Sequence, residues 1–280
     1  MSKIALHKPQ ALERPDHCHW DAPSQALERW AAFPHAAEAD NPNTISIYDV
    51  IGQDYWSGEG VTAKRIAAAL RAIGDKDVTV NINSPGGDMF EGLAIYNLLA
   101  EHPGAVNVRV MGIAASAASI IAMAGDTIKM GLGSFLMIHN AWGVVIGNQN
   151  DMRDAADTFA QFDGAMADIY VARTGQKKAD VESMMDAETF MSANDALEKG
   201  FATGTFEAAS QTEDQKKASA GTSAKRRLDA ILASQGMPRS ERRKLVREAA
   251  GTQDAAGTDT PRAVSFDPAL VAETLKTIRS

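Results

Sequence analysis

Asn81-Ile82-Asn83-Ser84-Pro85-Gly86-Gly87-Asp88 is the stretch on which the reading of this chain turns. Val78-Thr79-Val80 leads into it, β-branched and alternating, so the segment reads as a strand. Pro85 fixes φ, and the paired glycines permit φ above zero, so the strand must end there in a tight turn. Such a turn can aim successive backbone N–H groups at one point, as the stabilisation of an oxyanion requires.

Working outward, Val106 to Met111 alternates as a second strand and runs into Gly112-Ile113-Ala114-Ala115-Ser116-Ala117-Ala118. Small neighbours let a backbone approach a substrate closely. Ser116 is expected to open a helix, where unpaired N–H groups and the positive end of the dipole surround its hydroxyl. That setting suits a nucleophile. Ser119 falls one helical turn deeper and reads as structural; Ser84 reads as a turn residue. Of six histidines, only His102 and His139 lie between Thr44 and Phe206, where the regular pattern is. His102, before Pro103, reads as a surface stop at a helix end. His139 follows Phe135-Leu136-Met137-Ile138 at the C-terminal tip of a strand, where ligand and catalytic groups gather in α/β folds.

Asn83-Ser84-Pro85-Gly86-Gly87, Gly112-Ile113-Ala114-Ala115-Ser116 and Met137-Ile138-His139 together resemble, in order and spacing, the proteolytic subunit of the Clp protease. Thr174-Gly175-Gln176 and the run from Phe190 to Phe201 extend the resemblance, which covers Thr44 to Phe206. The flanks resemble those of the Clp-related head maturation proteases of tailed phages and prophages. The alternation of strands and helices asks only for parallel strands with crossover helices. The resemblance narrows this to an α/β spiral of β-β-α units of the Clp/crotonase type.

It also implies a serine endopeptidase in which Ser116 attacks the scissile carbonyl, His139 moves the proton, and the N–H groups of Gly87 and Ala117 form the oxyanion hole. Gly86, Asp88 and Met89 would lie along the substrate backbone. Aligning Phe190-Met191-Ser192-Ala193 with the family's block puts Glu188 where the family has an aspartate to hold the imidazole, with Asp186 as the fallback. The implied assembly is a ring, stacked on a second ring through the helix expected over Asp151 to Arg173. The implied substrates are proteins, capsid or scaffold proteins for a head protease. No Gly-x-x-x-x-Gly-Lys-Ser/Thr loop is present, so any ATP-driven unfolding would come from a separate protein.

Three other readings compete. A cellular Clp subunit would work with an ATP-dependent unfoldase. A crotonase-type acyl-CoA enzyme shares backbone oxyanion holes but needs no Ser116–His139 pair. A non-catalytic shell or scaffold protein would not label at Ser116.

The 280 residues are 45% hydrophobic, enough for one core with appendages. A net charge of −8 argues against nucleic acid as the main partner. The single cysteine, Cys18, forms no intrachain disulfide, in keeping with a reducing cytoplasm. The segment from Met1 to Pro9 has no apolar core of the kind a signal peptide carries. No apolar run approaches the ~20 residues of a membrane span. His17-Cys18-His19 does not make a metal site, since adjacent residues do not converge on one tetrahedral ion. Neither a metal nor a cofactor is expected.

Three parts are expected in order. Residues 1–43 form an arm punctuated by Pro9, Pro15, Pro23, Pro34 and Pro42. A short helix is expected over Ala22 to Phe33, and Trp20, Trp30 and Phe33 need something to pack on. Residues 44–206 form the peptidase-like domain, with the loop Ser57-Gly58-Glu59-Gly60 after its first strand. Residues 207–280 begin with a Ser, Thr, Gln, Ala and Gly-rich linker to Ala224 and continue as a mildly basic helical tail. The composition of that tail predicts that a chain ending at Phe206 folds and cleaves as the full chain does. The stripe Met152, Ala155, Phe159, Phe162, Met166, Ile169 and Tyr170 on the long helix reads as an interface.

Overall fold

The computed structural model describes residues 18–20, 25–27, 30, 41–52 and 60–206, and shorter stretches within 228–246. The loop Ser57 to Glu59, the linker 207–224, Phe33 and the side chains of His17 to His19 lie outside the described residues.

The strands are β1 (Cys18–Trp20), β2 (Thr44–Ile47), β3 (Val78–Ser84), β4 (Val106–Ala115), β5 (Thr127–Gly131), β6 (Phe135–Met137), β7 (Gly143–Val145), β8 (Phe190–Ser192) and β9 (Gly204–Phe206). The helices named here are α1 (Ala63–Ile73), α2 (Met89–Ala100), α3 (Ala117–Ala122), α4 (Gln149–Thr174), α5 (Lys178–Asp186) and α6 (Ala193–Glu198). The main sheet runs β2-β3-β4-β5-β9, all parallel. Parallel neighbours need crossovers, and α1, α2 and α3 supply them.

The ends of the helices follow their sequences. Thr62 caps α1 by accepting from the Arg65 N–H, and Gly74 closes it at φ 71°. Asp88 caps α2 by accepting from the Phe90 and Glu91 N–H groups. Asn148 and Asp151 form a capping box on α4, and Gly175 ends that helix in the left-handed region. His102 corrects the expected surface stop. It ends α2 but is buried, and its Nε2 lies 2.8 Å from the Lys76 carbonyl oxygen.

The sheet forks on β4. Asn107 to Val110 pair with β5, whereas Ile113 to Ala115 pair with β6, which in turn pairs antiparallel with β8. The chain thus steps from one layer to the next at Met111-Gly112, giving a mixed α/β fold. A bulge between Ile82 and Ser84 accompanies the step. The Asn83 side chain accepts from the Ile113 N–H across it, so the broken ladder is mended from within.

Because side chains alternate along a strand, the ends of β4 and β6 serve two cores. Ala114, Leu136 and Ile138 enter the large core with the helices. Ile113, Ala115 and Met137 enter a second cluster with Ala26, Leu27, Trp30 and Val50, against which Ala233 packs. The Trp30 indole N–H donates to the Asn83 carbonyl at 2.7 Å. Packing therefore crosses both expected boundaries, at Asn43 and at Phe206. Residues 18–20 likewise pair antiparallel with β7.

The stripe on α4 is corrected in part. Ala155, Phe162, Met166, Ile169 and Tyr170 are buried in the chain's own core, and Phe159 packs on it. Of the large apolar residues on α4 and the segment before it, Trp142, Val144, Ile146 and Met152 are exposed. Among the described residues no helix is long and apolar enough to cross a membrane.

Candidate active site

β4 delivers Ser116 to the junction with α3 at φ 56° and ψ −129°. A non-glycine residue in this region is strained by about 1–3 kcal/mol and stays there only where its surroundings fix it. Its N–H donates to the Met137 carbonyl at 3.0 Å, and its carbonyl accepts from the Ser119 N–H at 2.9 Å. Held in this way, the side chain makes no capping bond to α3. Its Oγ instead lies 2.7 Å from Nε2 of His139.

His139 stands two residues past β6 and is 7% exposed. Burial pushes its pKa down from 6.5 to about 4. The imidazole is thus neutral near pH 7, and its Nε2 can accept the Ser116 proton. This is the only hydrogen bond of the ring among the described residues.

The glycine turn lies against the serine. Gly86 has φ 92° and Gly87 φ 142°. The Gly86 carbonyl accepts from the Ile51 N–H at 2.8 Å. The N–H groups of Gly87 and Ala117 have no acceptor among the described residues, and both residues line one small cleft with Ser116 and His139. Met89, Asn140, Ala141, Trp142, Met166 and Tyr170 complete its wall. Its volume is about 20 Å³, room for one water-sized group such as an oxyanion.

Gly86 and Asp88, two of the residues expected along the substrate, do not line this cleft. A β-carbon on Gly86 would meet that of Ser116. The Asp88 carboxylate caps α2, and its N–H donates to the Ile51 carbonyl at 3.0 Å.

The expected carboxylate partner of His139 is also corrected. Glu188 is exposed, sits at φ 47° in the turn between α5 and β8, and makes no bond to the imidazole. Asp186 accepts from the Asn140 side-chain amide at 2.7 Å instead. The sequence reading missed Asp163, which accepts from the Ala141 N–H at 2.6 Å. Burial raises its pKa, the Ala141 bond opposes this, and the nearby Asp186 charge adds to the rise. Asp163 lies four residues after Phe159 and three before Met166, on the apolar face of α4. A carboxylate interrupting a buried stripe was the signal that could have found it. The two acids thus pin Asn140 and Ala141, the residues directly after His139.

Among the described residues no cluster of His, Cys, Asp and Glu is placed to hold a metal ion. What the arrangement can do is move a proton from a hydroxyl to a buried imidazole, beside two N–H groups with no acceptor among the described residues. A family model described as Clp protease matches residues 57–208.

Proposed function

The chain belongs to the Clp protease family, and on that premise we propose that it is a serine endopeptidase with Ser116 as nucleophile and His139 as general base. The observation that carries this reading is the 2.7 Å contact between Ser116 Oγ and a neutral, buried His139 Nε2. In the first step Ser116 Oγ bonds to the scissile carbonyl carbon while its proton passes to Nε2. The carbonyl oxygen, now negative, is held by the N–H groups of Gly87 and Ala117, each donor worth roughly 3–4 kcal/mol in the transition state. The imidazolium then gives its proton to the leaving amine. Water, deprotonated by the same nitrogen, hydrolyses the acyl ester.

In this mechanism no carboxylate touches the ring. Asp163 fixes the Ala141 backbone N–H and Asp186 the Asn140 side-chain amide, on the two residues that follow the ring, and Met89 lines the cleft.

The substrate class we assign is capsid or scaffold protein processed during phage head maturation. Its support is sequence: residues 1–56 and 209–280 lie outside the family match, and these flanks resemble those of head proteases. Exposed Trp142, Val144, Ile146 and Met152 give a second copy an apolar surface to cover, as in a ring assembly.

The test is labelling of the folded chain by a fluorophosphonate, followed by peptide mapping, with hydrolysis of an unstructured fluorogenic peptide in parallel. Label on Ser116, and loss of both signals in Ser116→Ala with Ser119 intact, is the expected result. Peptide hydrolysis persisting in Ser116→Ala overturns the assignment. ATP-independent cleavage of a purified capsid protein supports the head-protease reading, and a strict need for an unfoldase overturns it in favour of a cellular Clp subunit.

A further inference from the structure

The buried hydroxyl of Tyr170 is used by none of the steps above. Its oxygen lies 2.7 Å from Ser119 Oγ. Ser119 Oγ in turn lies 2.6 Å from the carbonyl oxygen of Ser116. A carbonyl only accepts, so the single Ser119 proton is committed to Ser116. Tyr170 must then be the donor in its own bond. The order is fixed: Tyr170 donates to Ser119, and Ser119 donates to the backbone of the nucleophile.

The end point of this chain is the strained residue. Ser116 is one of two non-glycine residues with positive φ among those described. Its carbonyl accepts the Ser119 N–H and the Ser119 hydroxyl, and more weakly the Ile120 N–H at 3.3 Å. The far end is rigid. Tyr170 is 1% exposed, packs on Phe201 with ring centroids 5.7 Å apart, and lines the same cleft as Ser116 and His139. Burial raises its pKa, so the proton it donates stays in place across the working pH range.

Resting on the peptidase reading, we propose that Tyr170 and Ser119 are positioning residues that hold the Ser116 backbone in its strained conformation and so keep Oγ in line with His139 Nε2. Ser119 is thus more than the structural serine its place in the sequence suggests. Losing the relay lets the peptide unit of Ser116 relax toward a common conformation, which turns Oγ away from the imidazole. Misalignment of this kind lowers the rate of attack while leaving the groups that bind substrate in place.

The experiment compares wild type, Tyr170→Phe, Ser119→Ala and the double variant. It reads kcat and KM on a fluorogenic peptide, the second-order rate of fluorophosphonate labelling of Ser116, and thermal unfolding. Removal of one buried hydrogen bond predicts a fall of about tenfold in kcat and in labelling rate, with KM within about twofold. The double variant is expected to lose no more than the worse single variant, since both remove the same relay. If Tyr170→Phe does not fold, Ser119→Ala carries the same expectation from the other end. Labelling at the wild-type rate in a folded variant overturns the relay and leaves the peptidase reading standing, as does a loss that only tracks the unfolded fraction. Failure of the wild type to label at Ser116 overturns both.

Discussion

A β-carbon placed on Gly86 would lie 2.5 Å from the Cβ of Ser116. It would also lie 2.6 Å from the Ala115 carbonyl oxygen, and Gly86 has φ 92°. The glycine turn and the nucleophile are therefore built as one surface, each shaped by the other. Replacing Gly86 by alanine must move the turn or the serine, and backbone atoms cannot yield as a flexible side chain does. Gly86→Ala is expected to lower peptide hydrolysis by more than about 100-fold, because a displacement near 1 Å suffices for that. Steady-state kinetics and labelling of Ser116 measure it; activity within tenfold of wild type would show that the turn is not held against the nucleophile.

The buried imidazole sets the pH behaviour. His139 has a pKa near 4 in the folded chain against about 6.5 when unfolded. The unfolded state therefore binds the extra proton between these values, and stability falls as pH drops from 6.5 toward 4. The contribution is full above pH 6.5, and about 2 kcal/mol of it is lost by pH 5. Urea unfolding at pH 7 and pH 5 checks this, with His139→Asn expected to lose less than wild type. The acid limb of kcat/KM should likewise lie below pH 6, since the base stays unprotonated there. A limb near pH 7 would mean that a carboxylate reaches the ring during turnover.

The acids around the site should divide. Glu188→Gln is expected to leave kcat within about threefold, since its side chain makes no bond to His139 and surface changes are usually small. Asp163→Ala removes the acceptor of the Ala141 N–H. It should cost about tenfold in kcat/KM, as a part-buried donor is left unpaired next to the base. Kinetics of the two variants measured together decide between these acids; a larger loss in Glu188→Gln would restore the sequence assignment.

Much of the site was legible because its parts are local. The strand into Pro85-Gly86-Gly87, the small run before Ser116 and the strand-end His139 each declare themselves within a few residues. The helix expected over Asp151 to Arg173 was legible through its own periodicity and runs from Gln149 to Thr174, extended by the Asn148 cap and closed by Gly175. What escaped depends on contacts far apart in the chain. Trp30 reaches Asn83 over 53 residues, and Ala141 reaches Asp163 over 22. The α4 stripe looked like an interface because periodicity reports which face is apolar and not what covers it. His102 misled because a ring at a helix end can still turn inward to a carbonyl.

The exposed apolar residues predict assembly. Ile146 is 78% exposed, and Trp142, Val144 and Met152 are also exposed. Large apolar residues exposed this close together in the chain mark a candidate protein interface. Light scattering at micromolar concentration is expected to give a multiple of the 29.8 kDa chain. Replacing Ile146 and Val144 by aspartate should shift the mass toward the single chain. A wild-type mass equal to one chain would remove the interface.

The second cluster predicts what truncation does. Composition alone suggests that a chain ending at Phe206 works as the full one does. Packing argues otherwise, because Ala233 lies on the cluster formed by Trp30, Ile113, Ala115 and Met137, with Leu228 and Leu232 buried. Ala115 precedes the nucleophile, and the Met137 carbonyl holds the Ser116 N–H. Loosening this cluster therefore acts on the strand ends that carry both Ser116 and His139. Trp30→Ala, which also leaves the Asn83 carbonyl without the indole donor, should cost about 3–5 kcal/mol. Truncation at Phe206 removes Ala233 and the buried Leu228 and Leu232 together, and should cost at least about 2–5 kcal/mol. Both are expected to lower peptide hydrolysis several-fold under conditions where the chain remains folded. Thermal unfolding with kinetics at a temperature below both transitions separates the two effects. A truncated chain with wild-type stability and rate would show that the tail's contact with the cluster does not support the site.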